Sequence, residues 1–204
     1  MYTLKIQKGI YRGKSIHAPA PVNGISHSTP ALLKEALFQI LESRIQDTSR
    51  YTFFDLCAGS GQIGFEALSQ GYGEVHLCEL DQSRFSSILK EVKKHDFHVI
   101  LHRKEFIKLL PGICKKPHSI VFIDLPYSFW KDGVCSVLTE FLQLLDACCN
   151  EKESAESIDG YILIQSKEES IQIPEFLNIL PVMHRSYGGN SLTLLEFHSQ
   201  SQIV

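Results

Sequence analysis

Two short segments carry residues whose types and spacing suit a nucleoside ligand. The first, residues 53–64, reads Phe-Phe-Asp-Leu-Cys-Ala-Gly-Ser-Gly-Gln-Ile-Gly, and Glu79 ends a second apolar run 15 residues beyond it. Gly59 and Gly61 lack side chains where the backbone must turn sharply and approach a ligand. A carboxylate about 20 residues after the first glycine suits hydrogen bonds with ribose hydroxyls. This arrangement predicts a nucleoside-binding crevice.

The same glycines leave two classes of cofactor open. Gly59-x-Gly61-x-x-Gly64 satisfies the dinucleotide fingerprint, in which the third glycine lets the helix pack close to the sheet. Asp55, however, ends the first strand where dinucleotide folds usually keep an apolar residue. A carboxylate there would repel a pyrophosphate but would suit the ammonium group of S-adenosyl-L-methionine. We expect S-adenosyl-L-methionine as the cofactor, with a nicotinamide or flavin dinucleotide as the alternative.

The second segment is Asp124-Leu125-Pro126-Tyr127, which follows the apolar run 119–123. It fits methyl transfer to an exocyclic amine of a nucleobase, a poor nucleophile because its lone pair is delocalised into the ring. The Asp124 carboxylate and the main-chain carbonyl of Leu125 would accept both amine hydrogens and direct the lone pair at the methyl group. Pro126 would stiffen the loop, and Tyr127 would stack on the base. Catalysis would then rest mostly on alignment.

The expected topology brings the two segments to the same edge of a sheet. Ligands in open α/β sheets bind beyond the carboxyl ends of the strands, where Asp55 and Asp124 both fall. We therefore expect the two carboxylates to face one gap, with Phe129 or Trp130 forming part of the base pocket. Because a base inside a duplex cannot reach such a pocket, the target must be flipped out or already unpaired.

Strand-like and helical patterns alternate along most of the chain. Residues 3–17 alternate polar and apolar around Gly9 and predict a small amino-terminal hairpin. Thr29-Pro30 opens the first helix, with threonine as the cap and proline in the first helical position. Seven strand-like runs follow, at Thr52–Leu56, Glu74–Leu80, His98–His102, Ser119–Asp124, Tyr161–Gln165, Asn178–Arg185 and Leu192–Phe197.

These patterns predict an α/β, Rossmann-like fold of the class I methyltransferase type. Strands that alternate with helices imply a mainly parallel, seven-stranded sheet covered on both faces. The link 186–190 is too short for a crossover helix, so the last strand should pair antiparallel. We expect two parts: an N-terminal β-hairpin extension over residues 1–24 and the methyltransferase domain over residues 25–204.

Composition restricts the compartment and the partners. The chain has 204 residues and a net charge of −3, and no apolar run reaches transmembrane length. Its start lacks a signal-peptide pattern, and its six cysteines contain no Cys-x-x-Cys pair. We therefore expect reduced thiols, no disulfide and no metal, in a cytoplasmic protein. Residues 1–34 hold basic side chains and no acid, which suits a polyanion, and Arg12 and Lys14 are the best candidates for phosphate contact.

The chain resembles the bacterial RsmD-type methyltransferases, which act on a guanine N2 of small-subunit (16S) ribosomal RNA. The resemblance extends from about Leu4 to Phe197, and the glycine segment is its most specific part. The matching motifs are Ile6-x-x-Gly9-x-Tyr11-Arg12-Gly13-Lys14, Lys34-Glu35-Ala36-Leu37-Phe38, the stretch 55–69, Glu79-Leu80-Asp81 and Asp124-Leu-Pro-Tyr127. The implied partner is ribosomal RNA or the assembling small subunit, and we expect a monomer.

The resemblance also implies the site residues. In chain order, the cofactor site would consist of Asp55, Cys57, Gly59, Gly61, Glu79, Leu80, Glu105, Phe106 and Asp124. Asp55, Gly59 and Gly61 would line the methionine end, and Glu79 would bind the ribose. Glu105-Phe106 stands where the family usually has an acid followed by alanine beside the adenine. The segment from Asp124 to Tyr127 would hold the guanine.

Two departures from the family pattern bear on this interpretation. Leu125 stands where the family usually has the first proline of Asp-Pro-Pro-Tyr, which reduces the rigidity expected of the loop. His27-Ser28-Thr29 stands where the family reads Arg-Pro-Thr, so an arginine that would touch cofactor or RNA is missing. Three alternatives therefore stay open: an adenine-N6 nucleic-acid methyltransferase, a dinucleotide-dependent oxidoreductase, and an RNA-binding protein without catalytic activity.

Overall fold

The computed structural model describes residues 2–18, 29–150, 157–167 and 171–199. The chain divides into two units, Met1–Phe106 and Ile107–Val204. The predicted boundary between residues 24 and 25 lies outside the described residues and stays a prediction. His27 and Ser28 also lie outside the described residues. Among the described residues, no helix combines the length and the apolar character needed to cross a membrane.

The first unit begins with the predicted hairpin. Strands β1 (Tyr2–Lys5) and β2 (Ser15–Ala18) pair antiparallel, and the apolar residues Ile6 and Ile16 are buried in a cluster that also holds Phe65. At the turn, Gly9 has a φ of +79°, and a Cβ there would lie 1.7 Å from the carbonyl oxygen of Ser69. Only glycine fits at this position, so the hairpin can lie directly on the backbone around Ser69.

The rest of the first unit alternates helices and strands as predicted. The elements are α1 (Ala31–Glu42), β3 (Thr52–Asp55), α2 (Gln62–Ser69), β4 (Glu74–Cys78), α3 (Gln82–His95) and β5 (Ile100–His102). The strands pair parallel in the order β5-β4-β3. The prediction that Thr29 caps α1 is wrong, because Pro30 itself occupies the N-cap position and no side-chain hydrogen bond caps the helix.

A buried ion pair joins the hairpin to α1 and α2. Lys34 on α1 and Glu66 on α2 are each only 1% exposed, and Lys34 Nζ lies 2.9 Å from Glu66 Oε2. The Glu66 carboxylate also accepts the backbone N–H groups of Gln7 and Lys8, the latter at 2.7 Å. Lys34 Nζ further donates to the carbonyl oxygen of Lys5 at 3.2 Å. The pair therefore fixes the backbone that leaves β1.

The second unit contains the remaining strands. Its elements are α4 (Leu110–Ile113), β6 (His118–Asp124), α5 (Ser136–Asn150), β7 (Asp159–Ser166), β8 (Ile179–Tyr187) and β9 (Asn190–His198). Strands β6 and β7 pair parallel, whereas β9 pairs antiparallel with both β7 and β8, in the order β6-β7-β9-β8. Gly188 and Gly189, both with positive φ, form the turn between β8 and β9.

The fold-class prediction is confirmed. Over the described residues, strands β3 to β9 make a mainly parallel, seven-stranded sheet whose last strand is antiparallel, and a separate two-stranded hairpin precedes it. At the majority of strand ends, the observed limit differs from the predicted one by one or two residues. Periodicity and turn residues were sufficient here because strand existence depends on local pattern.

The expectation that all six cysteines are reduced thiols is wrong for two of them. Cys114 at the end of α4 and Cys148 on α5 form a disulfide, with their Cα atoms 6.4 Å apart. The two residues are 34 positions apart in the sequence, so only the packing of α4 against α5 brings them together. Cys78, Cys135 and Cys149 are buried and lie outside any disulfide.

The buried ion pair predicts a large difference between two lysine variants. Lys34→Met leaves the Glu66 carboxylate buried without its cation, so the free energy of unfolding should fall by about 3–5 kcal/mol. The control, Lys8→Met, removes a partly exposed pair with Glu42 and should cost at most about 1 kcal/mol. Urea denaturation measures both values, and equal losses in the two variants would contradict the role given to Lys34.

Candidate functional site

The turn between β3 and α2 has the geometry that the glycine spacing predicted. Gly59 and Gly61 have φ values of +55° and +79°, a backbone region that residues with side chains rarely adopt. The Ala58 N–H donates to the carbonyl oxygen of Cys78 at 2.9 Å, and the Gly61 N–H donates to Ala58 at 2.6 Å. The turn is therefore tight and is tied to the end of β4.

Asp55 ends β3 and holds the first turn of α2. Its side chain is buried, and its Oδ2 atom accepts the backbone N–H of Gly64 at 3.1 Å. A carboxylate near a helix N-terminus is stabilised by the amides and the dipole there. Binding of a ligand ammonium group by this carboxylate stays a prediction.

Glu79 follows β4 and links two backbone segments. Its Oε2 accepts the N–H of Gly59 at 2.9 Å, and its Oε1 accepts the N–H of Asp81 at 2.9 Å. The glycine turn is thus bonded to the residue that caps α3, since the Asp81 side chain accepts the N–H of Arg84. Because each carboxylate oxygen has two lone pairs, Glu79 keeps acceptor capacity beyond these two bonds, and ribose binding by this residue stays a prediction. The sequence indicated the acid but not these structural bonds.

The other predicted cofactor residues of the first unit also follow strand ends. Cys57 is half-buried in the glycine turn, Leu80 is 61% exposed after β4, and Glu105 and Phe106 follow β5. The Glu79 N–H donates to the carbonyl oxygen of His102 at 3.0 Å, which ties the ends of β4 and β5 together. The structure thus brings these residues to the carboxyl ends of three neighbouring parallel strands.

Asp124 occupies the corresponding position in the second unit, at the end of β6. Desolvation raises the pKa of its carboxyl group to about 7. Leu125 is buried, and Tyr127–Phe129 form a short 3₁₀ turn in which the Phe129 N–H donates to the carbonyl oxygen of Pro126 at 2.9 Å. The loop is therefore fixed by burial of Leu125 and by this turn, although the usual proline is absent.

Tyr127 is partly exposed and interacts with two charged groups. Desolvation, and then the charge of Asp124, raises the pKa of the Tyr127 hydroxyl. Lys167 Nζ lies 4.2 Å from the centroid of the Tyr127 ring. The sequence gave no signal for this lysine, which follows β7 some 40 positions further along the chain.

The two predicted phosphate contacts lie in the hairpin of the first unit. Arg12 is exposed and lines a cavity of about 580 Å³ that Glu66 also borders. Lys14 Nζ lies 4.6 Å from the ring centroid of Tyr11 and 5.6 Å from that of Phe97. The lysine ammonium is therefore held over aromatic rings, whereas Arg12 extends from the hairpin turn.

The fold is similar to those of solved methyltransferase structures. A putative methyltransferase, yhhF from Escherichia coli, superposes with a TM-score of 0.68 at 20% identity, over 98% of this chain and 100% of that one. An RNA methyltransferase from Salinibacter ruber, solved with S-adenosyl-L-homocysteine, superposes with a TM-score of 0.57 at 13% identity, over 87% and 96%. The sheet topology and these likenesses define a class I methyltransferase fold.

The sequence comparisons identify the family within this class. The protein-family model described as Conserved hypothetical protein 95 matches residues 4–196, and the chain belongs to that family. A relative is the Ribosomal RNA small subunit methyltransferase D of Buchnera aphidicola subsp. Acyrthosiphon pisum, 28% identical over 144 residues, which are 70% of this chain and 69% of that protein. The RsmD-type resemblance is confirmed.

Close packing of α2 on β4 can be tested at Gly64. A Cβ there would lie 2.0 Å from Leu77 Cδ2, so Gly64→Ala must displace the helix or the leucine. We expect a loss of about 1–3 kcal/mol in the free energy of unfolding. The control is Gly112→Ala, where a Cβ meets nothing within 4 Å. If both variants melt at the wild-type temperature, α2 does not pack as closely as described.

The raised pKa of Asp124 predicts how stability changes with pH. A carboxyl group with a folded pKa of about 7 binds its proton more tightly than in the unfolded chain, where the pKa is about 3.9. Wild-type stability relative to Asp124→Asn should therefore fall as pH rises from about 4 to about 7, and then level off. Urea denaturation across this range measures the difference, and parallel profiles for the two proteins would exclude a raised pKa.

Proposed function

We propose that this protein transfers the methyl group of S-adenosyl-L-methionine to the exocyclic N2 of a guanine in small-subunit ribosomal RNA. In this proposal the residues at the ends of β3, β4 and β5 hold the cofactor, and the Asp124–Tyr127 segment holds the base. The observation that carries it is the match to the family over residues 4–196, together with a desolvated carboxyl group at the end of β6. The Buchnera relative, a ribosomal RNA small subunit methyltransferase, supports the ribosomal substrate.

The residues present fit the cofactor. The left-handed glycines Gly59 and Gly61 leave backbone where side chains would otherwise stand, and Glu79 has acceptor positions for the ribose hydroxyls. Leu80 offers exposed apolar surface beside that acid. When bound, the cofactor supplies a methyl group on a sulfonium sulfur, with a neutral thioether as the leaving group. In this proposal Asp55, Cys57, Glu105 and Phe106 complete the binding site.

The base-binding segment acts by alignment. The Asp124 carboxylate and the Leu125 carbonyl each accept one hydrogen of the exocyclic amine, so the nitrogen lone pair moves out of conjugation and faces the methyl group. The bound cofactor would supply the methyl group, with the new N–C bond replacing the C–S bond. The resulting ammonium is acidic and loses a proton, and a carboxylate whose pKa is about 7 is suited to take it.

The same acceptors would also fit adenine N6, so the identity of the base rests on the family resemblance. Membership in a methyltransferase family favours S-adenosyl-L-methionine over a dinucleotide. We further propose that the protein acts as a monomer in the cytoplasm, on ribosomal RNA or on the assembling small subunit, with Arg12 and Lys14 contacting phosphates.

A labelling experiment tests the proposed function. The protein and labelled S-adenosyl-L-methionine are incubated with small-subunit RNA from cells that lack the protein, and the modified nucleotide is mapped. Label on one guanine N2 is expected. Label on adenine would replace guanine as the substrate, and cofactor binding without transfer to naked RNA or to assembling subunits would favour a non-catalytic protein.

Asp124→Ala tests the catalytic role. Loss of the carboxylate should reduce methyl transfer by about 100-fold or more, since alignment and charge stabilisation carry the reaction. The dissociation constant for S-adenosyl-L-methionine should stay within about twofold, because the other proposed cofactor residues, Glu79 among them, are unchanged. The control is Glu140→Ala, an exposed acid on α5 of the same unit. Unchanged turnover in Asp124→Ala would eliminate the assignment.

A further inference from the structure

We propose that Lys167 is a positioning residue that binds a phosphate next to the target guanosine while it orients the Tyr127 ring. The inference rests on the proposed function and extends it, because none of the matched motifs includes this lysine. It starts from one contact, the 4.2 Å between Lys167 Nζ and the centroid of the Tyr127 ring.

The sheet places Lys167 at the edge where the base-binding segment begins. In the parallel ladder of β6 and β7, Asp124 is the partner of Gln165. Lys167 stands two residues after Gln165, just past the end of β7, and it is exposed. Its backbone therefore directly continues a strand that is paired within the second unit.

The charges at this edge explain what the lysine would do. After desolvation, the charge of Asp124 contributes to the raised pKa of the Tyr127 hydroxyl, so the acid acts on the same ring that Lys167 contacts. An RNA strand that brings its base to a carboxylate also brings a phosphate on each side of that base. The carboxylate and the phosphate repel each other. A cation beside the ring offsets this repulsion and binds the phosphate.

The ring contact adds an orienting effect. An ammonium over one face of a tyrosine is attracted to the ring electrons and restricts how the ring turns. The base then stacks on the opposite face of Tyr127, while the remaining ammonium hydrogens of Lys167 point outward to the phosphate. One side chain would thus couple the position of the nucleotide backbone to that of the stacking ring.

Two variants and a matched control separate charge from structure. Lys167→Met keeps an unbranched stem and removes the charge, whereas Lys167→Arg keeps both the charge and the ring contact. The control is Lys115→Met, which removes an exposed lysine that precedes the amino end of β6, at the other end of that strand. Cofactor affinity is measured in every variant and should not change.

The first readout is the salt dependence of RNA binding. Across about 50 to 200 mM salt, Lys167→Met should reduce the slope of log affinity against log salt by about 0.7, the value for one phosphate contact on a single strand. Its KM for RNA should rise about fivefold to tenfold at the lower salt, with a smaller change in kcat. Lys167→Arg should restore most of both, and Lys115→Met should behave as wild type.

The second readout uses a single-stranded oligonucleotide with one guanosine and a neutral methylphosphonate at either linkage beside it. One of the two substitutions should weaken binding by wild type and leave binding by Lys167→Met unaffected. Equal losses for both proteins at both linkages, or an unchanged salt slope, would overturn the role of Lys167 even if wild type methylates RNA. RNA binding without methyl transfer would instead refute the proposed function. The salt slope and the methylphosphonate substitutions would then still decide the role of Lys167. Failure of wild type to bind RNA would refute both.

Discussion

The first unit depends on the interactions that the buried carboxylate of Glu66 makes. It receives Lys34 from α1 and the backbone N–H groups of Gln7 and Lys8 from the segment after β1, at a position that is only 1% exposed. A carboxylate that is almost completely buried is tolerated only when its acceptor positions are filled. The hairpin, α1 and α2 are therefore interdependent, and α2 is the helix that starts at the glycine turn.

The acids at the ends of β3 and β4 make structural hydrogen bonds, and the proposed function gives all the strand-end acids a chemical role. Asp55 bonds the first turn of α2, and Glu79 bonds both the glycine turn and the start of α3. These bonds fix the backbone around the glycine turn, and in the proposed function this preorganisation lowers the entropic cost of binding the cofactor. Asp124 differs, because desolvation keeps its carboxyl group partly protonated near neutral pH. That environment suits a group that both accepts hydrogen bonds and takes a proton.

Most of the fold was predictable because its determinants are local. Alternating apolar runs gave all seven main strands, and the short link at 186–190 gave the antiparallel last pair. The start of α1 was predicted wrongly, since Thr29 and Pro30 both favour a helix start and only the backbone conformation decides which of them is the N-cap. The disulfide of Cys114 and Cys148 was missed because 34 residues separate them and helix packing alone joins them.

The sequence by itself determined the glycine turn, the acids at the ends of β3, β4 and β6, and the family, because each depends on residue type at fixed local spacing. Only the tertiary structure decided which charges are buried together, as with Lys34 and Glu66, and which cation lies over Tyr127. It also decided the raised pKa of Asp124. These properties depend on burial and on contacts between residues far apart in the chain, and both arise only when the elements pack.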